Sequence, residues 1–197
     1  MLAVHDSQPS GRLRRQTHLS VFRQVAQDKY GRRVPLQLLV LRHGHAEQAP
    51  PPGGRDFDRT LRAKGRRMLA ALAPKVHALD PDLVLSSPSR RTRETVEQLQ
   101  ISARVDYLEP LYEADADELL EAVREASGND EPYETVLLVG HNPGVHQLVL
   151  ELTGGQQIPG FPPSALAVIT LDVDEWWQAS SGSGRLTALH LPEDGQD

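Results

Sequence analysis

Apolar residues in this chain fall into two kinds of stretch. Short continuous runs read as strands: PLQLLVL (Pro35–Leu41), DLVLSS (Asp82–Ser87), TVLLVG (Thr135–Gly140) and ALAVITL (Ala165–Leu171). The first has the unbroken apolar character of a strand buried on both faces, as in a parallel sheet. Between the runs, apolar positions recur at helical spacing. Leu61, Met68, Leu69, Leu72 and Val76 predict a helix over 60–79, with Pro74 placed to kink or split it. Pro88 opens a second helix, with Ser87 as its N-cap and Thr92, Val96 and Leu99 facing inward. A third helix over 114–126 packs Leu119, Leu120 and Val123, and Gly128 stops it. Asn142 and Pro143 cap a fourth, whose inner face is Val145, Leu148, Val149 and Leu152 and whose end is Gly154. ARVDY (Ala103–Tyr107) is a short strand. RLTALHL (Arg185–Leu191) is the last, pairing antiparallel with Ala165–Leu171 across a loop that holds Trp176 and Trp177. Strands alternating with helices predict an α/β fold, a three-layer sandwich around a mostly parallel sheet.

In an open α/β sheet, ligands bind outside the carboxyl ends of the parallel strands. Three polar clusters follow three of the predicted strands: Arg42-His43-Gly44, then Ser86-Ser87-Pro88-Ser89-Arg90-Arg91, then Gly140-His141-Asn142. If those strands are parallel neighbours, one cleft gathers two histidines and at least two arginines near helix N-termini. Such a pocket suits an anion, and phosphoryl oxygens match the guanidinium fork. A neutral imidazole can attack phosphorus, while arginines and a second histidine hold the equatorial oxygens. Gly44 lets the backbone approach where a Cβ would obstruct. Spacing alone does not separate Arg90 from Arg91.

These segments carry a resemblance. LRHGHAE, LSSPSRRTRET and LLVGHNPG resemble, in order, the three signatures of the histidine phosphatase superfamily, the phosphoglycerate mutase-like fold. FDRTLRAKGRR, LYEADADELL and FPPSALAVITLD are similar to its SixA branch of phosphohistidine phosphatases. The resemblance implies that His43 is the nucleophile and that Arg42, Arg91 and His141 bind the phosphoryl group, with no metal or cofactor. It selects Arg91 over Arg90 by register. Arg90 and Arg93 have a competing reading as partners of Glu94 and Glu97 at i,i+4. Arg59 is expected either at the substrate or paired with Asp56 or Asp58. Ser164 is expected to line the pocket or simply to start a strand. Glu113 is the candidate proton donor, ahead of Glu109, Asp115 and Glu47.

A phosphohistidine substrate asks little of a proton donor, because its P–N bond is labile and imidazole leaves more readily than an alkoxide. The expected partner is therefore a phosphorylated protein, with a small phosphorylated metabolite as the alternative. A phosphate-binding module without turnover is the rival from another class. Metal binding by His43 and His45 would need a third ligand, and Arg42 would repel the cation.

Composition narrows the picture further. The chain has 197 residues, a net charge of −6 and no cysteine, which excludes disulfide scaffolds and thiolate chemistry. Residues 1–33 carry seven basic and two acidic side chains, so that arm is +5 and the remainder −11. The expected organisation is a basic, partly disordered extension over 1–34, one catalytic domain over 35–192 and a frayed acidic tail over 193–197. The arm lacks the interleaved aromatics of a nucleic-acid binder. No run reaches the roughly 18 apolar residues of a membrane span. No apolar signal segment opens the chain, and a cytoplasmic location is expected.

Overall fold

The computed structural model describes residues 34–126 and 133–192. The basic arm, the Gly128 helix stop and the acidic tail lie outside the described residues. Six strands form one sheet: β1 (Gln37–Arg42), β2 (Leu83–Ser86), β3 (Arg104–Tyr107), β4 (Thr135–Gly140), β5 (Leu166–Leu171) and β6 (Gly184–His190). Their order is β3-β2-β4-β1-β5-β6. The first four pair in parallel, and β5 is antiparallel to both β1 and β6. Among the described residues, four helices cover the sheet: α1 (Ala63–Leu79), α2 (Arg90–Leu99), α3 (Ala116–Glu125) and α4 (Gly144–Leu152).

The alternation of side chains along β1 explains its unbroken apolar sequence. Leu38 and Val40 join the core beneath α3 and α4, whereas Leu39 and Leu41 join the core beneath α1 and α2. With both faces covered, every residue from Leu38 to Leu41 is fully buried. The architecture is the predicted three-layer sandwich.

Several local expectations need correcting. Helix α1 begins at Ala63, not Thr60, because Leu61 bridges Ala46 and the Arg62 N–H bonds the His45 carbonyl. Pro74 sits inside this helix without dividing it. The N-cap position of α2 is Ser89, and its hydroxyl pairs with Thr92 Oγ1 at 2.9 Å, so the cap role assigned to Ser87 does not hold. Helix α3 starts two residues late because Asp115 caps it, exchanging hydrogen bonds with Glu118 in a capping box. Asn142 does not cap α4, since its side-chain amide donates to the Phe161 carbonyl instead. The hairpin loop divides its tryptophans. Trp176 is buried, with Nε1–H donating to the Tyr133 carbonyl, while Trp177 is exposed.

Candidate active site

Strand register assembles the site. Arg42 lies opposite Gly140, and Ser86 opposite Val139, so β1, β4 and β2 end nearly level. The ladder continues one step: His43 N–H donates to the Gly140 carbonyl and Ser87 N–H to the Val139 carbonyl, each at 3.1 Å. His43, His141 and Ser87 therefore emerge side by side. The His43 and His141 rings lie 5.2 Å apart, tilted by 55°.

Both histidines are buried and neutral. His43 Nδ1 stands 2.8 Å from the Gly44 carbonyl. A carbonyl only accepts, so Nδ1 carries the proton and Nε2 keeps a lone pair. Burial pushes the His43 pKa down to about 3, with the charges of Arg91, Arg42 and Arg59 adding to the effect against the Gly44 hydrogen bond. Burial, then the neighbouring His43 and Arg91, push His141 down to about 2. Arg91 Nε–H points at His141 Nδ1 (3.3 Å), which leaves the proton on Nε2 to donate to Ser87 Oγ at 2.8 Å. Both ring nitrogens of His141 thus have protein partners.

The two arginines differ in what holds them. Arg42 is partly buried. Its NH1 donates to the Phe161 carbonyl at 2.9 Å, while its buried Nε has no partner among the described residues. Burial and the adjacent Arg91 charge lower its pKa. Arg91 is buried at the start of α2, and its NH1 meets both the carbonyl (2.8 Å) and the carboxylate (3.0 Å) of Asp56. Arg90, one residue earlier, turns outward to Glu94 at 2.9 Å. Arg93 does not pair with Glu97: it donates to the Pro88 carbonyl and lies over the Tyr107 ring at 3.9 Å.

Asp56, in a short 3-10 turn (Asp56–Asp58), also accepts from Arg59 Nε at 2.7 Å and Tyr112 Oη at 3.1 Å. Partial burial pushes its pKa up, but the Arg59 hydrogen bond and the Arg91 charge outweigh this and hold it below the usual value. Arg59 thus makes an ion pair with Asp56, and its charge also reaches His43.

The remaining sequence candidates fare differently. Gly44 spends its N–H on Thr95 Oγ1 at 3.0 Å, and a Cβ there would meet Leu69 Cδ1 at 2.7 Å. Packing beneath α1 thus also favours a glycine at this position. Ser164, with a left-handed φ of 67°, donates its N–H to the Arg42 and His43 carbonyls. Its buried hydroxyl has no partner among the described residues. Glu113 is exposed and has no hydrogen bond or ion pair among the described residues. Asp115 serves as a cap, and Glu47 pairs with Arg62. Among the described residues, no group of three or more His, Cys, Asp or Glu could hold a metal ion, and His45 joins none. No helix among them is long and apolar enough to cross a membrane.

A family profile, histidine phosphatase superfamily (branch 1), matches residues 38–125. The phosphohistidine phosphatase SixA of Escherichia coli (strain K12) is 32% identical over 143 residues, covering 70% of this chain and 86% of that protein. The chain belongs to the histidine phosphatase superfamily. Among solved structures, a candidate SixA from Nakamurella multipartitia superposes with a TM-score of 0.70 at 27% identity, over 80% of this chain and 96% of that one. A protein histidine phosphatase SixA complexed with tungstate gives 0.62 at 26% identity, over 78% and 96%. The fold is phosphoglycerate mutase-like and the protein is a phosphatase. In this histidine phosphatase the profile ends before β4, and sheet register together with the Ser164 N–H bonds to the Arg42 and His43 carbonyls brings His141 and Ser164 to the site. Sequence reasoning missed Asp56 as a partner of Arg91 and Tyr112, and Ser87 as the partner of His141. The Asp56–Arg59 spacing was visible, but nothing local signals a contact across 35 residues.

Proposed function

We propose that the protein is a SixA-like protein phosphohistidine phosphatase that works through phospho-His43 without a metal. The observation that carries this reading is the His43 tautomer. Its Nδ1–H is committed to the Gly44 carbonyl, so Nε2 holds a free lone pair at neutral pH. In the first step Nε2 attacks phosphorus, the P–N bond of the substrate breaks, and the substrate imidazole leaves with its electron pair. A substrate ring protonated on its other nitrogen leaves as neutral imidazole, so no side-chain acid is needed. Phospho-His43 is then an imidazolium whose Nδ1–H still bonds the Gly44 carbonyl.

In the second step water attacks phosphorus. The bond to Nε2 breaks, His43 returns to its starting tautomer, and the water proton passes to solvent or phosphate. Arg42 and Arg91 bind the phosphoryl oxygens. His141 Nε2–H joins them by exchanging Ser87 Oγ for an oxygen.

The identity with a named phosphohistidine phosphatase and the likeness to a tungstate-bound SixA support this substrate class. So does the carboxylate on Arg91: Asp56, held ionised by two arginines, is a poor proton donor for an alkoxide. A phosphorylated protein in the cytoplasm is the corresponding partner. The test is hydrolysis, in EDTA, of a phosphohistidine protein and of para-nitrophenyl phosphate by wild type and His43→Ala. Turnover of the phosphoprotein that disappears in the variant is expected. Dependence on added metal, or equal turnover by the variant, would contradict the reading.

A further inference from the structure

The Arg91 guanidinium has five N–H bonds in a fixed plane. Two have acceptors, Nε–H on His141 Nδ1 and one N–H of NH1 on the Asp56 carbonyl, and NH1 is also ion-paired with the Asp56 carboxylate at 3.0 Å. NH2 has no hydrogen-bond partner among the described residues. In a guanidinium, the Nε–H and one N–H of NH2 form a parallel fork. Because Nε–H aims at His141, that N–H of NH2 projects beside the His141 ring. Asp56 occupies the opposite edge.

We propose that Asp56 is the positioning residue for Arg91, holding its NH1 edge so that the NH2 edge is presented to the phosphoryl group. This rests on the phosphatase reading, in which Arg91 binds that group. The carboxylate is itself immobilised by Arg59 Nε and Tyr112 Oη. Tyr112 packs edge-on to both Phe57 and His141, with centroids at 5.0 Å and 5.7 Å. The short turn at Asp56–Asp58 is thereby joined to the pocket wall at a carboxylate, a carbonyl and a ring. A half-exposed aspartate 35 residues from its arginine thus becomes part of the machinery without touching substrate. The same contact keeps Asp56 from competing for the phosphoryl site, since its oxygens face the edge of Arg91 turned away from His141.

The test compares wild type, Asp56→Ala, Asp56→Asn and Asp58→Ala. Asp58 belongs to the same turn and pairs with Arg55, not with the pocket. For para-nitrophenyl phosphate, kcat of Asp56→Ala falls roughly 10- to 100-fold through misorientation of Arg91. KM changes much less, because the guanidinium stays in the pocket. Asp56→Asn, which keeps an acceptor oxygen for NH1, recovers most of the loss, and Asp58→Ala matches wild type.

A second readout does not depend on turnover: the Nε–Hε NMR resonance of Arg91, assigned by its absence in Arg91→Lys. It is expected to be dispersed and slowly exchanging in wild type and Asp56→Asn, and averaged in Asp56→Ala. An unchanged resonance in Asp56→Ala would overturn the positioning role. So would wild-type kcat in that variant. A wild type silent on both para-nitrophenyl phosphate and a phosphohistidine protein, with the expected resonances, would instead count against the phosphatase reading and leave the positioning supported.

Discussion

Two carboxylates in this protein each sit between two arginines, and they serve opposite ends. Glu94 is buried, pairs with Arg66 at 2.7 Å and Arg90 at 2.9 Å, and accepts the buried N–H of Leu61 at 2.9 Å. Its arginines are the exposed members, so the charge points inward and ties α2 to the start of α1. Asp56 is half-exposed, and one of its arginines, Arg91, is only 4% exposed. There the charge points outward, and the buried cation lies against His141. Counting ion pairs would not distinguish the two. Which partner is buried, and what lies behind it, does. A carboxylate beneath exposed arginines is structural, whereas a buried arginine with an open edge is a site.

The widest separation between the two clusters comes from their arginines. Arg91→Ala is expected to lower kcat by about 100- to 1,000-fold, the usual cost of removing one transition-state donor, and steady-state kinetics on para-nitrophenyl phosphate reads it. Glu94→Ala breaks the comparison in the other direction. Arg66 and Arg90 can rehydrate, but the Leu61 N–H is orphaned, a cost of about 1–3 kcal/mol in stability. Denaturant unfolding should show that loss while kcat stays close to wild type. A large fall in kcat would place Glu94 with the site after all.

Acid sharpens the contrast. His43 and His141 have folded pKa values of about 3 and about 2, against an ordinary 6.5. Below pH 6.5 the unfolded chain takes up protons that the folded site refuses. The stability contributed by these neutral rings is therefore complete above that pH and is lost as pH falls toward 3. Melting temperatures of wild type and His43→Gln, compared between pH 7 and pH 5, should show a smaller acid loss in the variant. The smallest effect belongs to Arg90→Ala. This exposed side chain is one of two cations on Glu94, and its removal should leave both kcat and melting temperature near wild type.

The adjacent pair Arg90 and Arg91 shows how far the sequence could be read. Both stand at the start of one helix, about 100° apart around its axis, so they meet different surroundings. Their neighbours are too alike for the sequence to say which. Register within the family resemblance chose Arg91, and the fold places it against His141. Strands were legible because burial on both faces writes an unbroken apolar run, as in β1. Helix starts were not. Ser87 and Asn142 look like caps in one dimension, yet their side chains are taken by His141 and Phe161 across the sheet. Gly44 was legible as a favoured glycine, but the packing pressure from Leu69 on α1 was not. Asp56 shows the limit, since its meaning depends on an arginine brought to it only by the closed fold.

The central claim is that His43 Nε2 receives the phosphoryl group. It is tested most directly by mixing the enzyme with a phosphohistidine protein, quenching in base within one turnover, and mapping the modified peptide by mass spectrometry. The account predicts one phosphoryl group on the peptide containing His43, stable in base, labile in acid and missing from His43→Ala. A phosphoryl group on His141 or another residue, or turnover by His43→Ala at the wild-type rate, would contradict it.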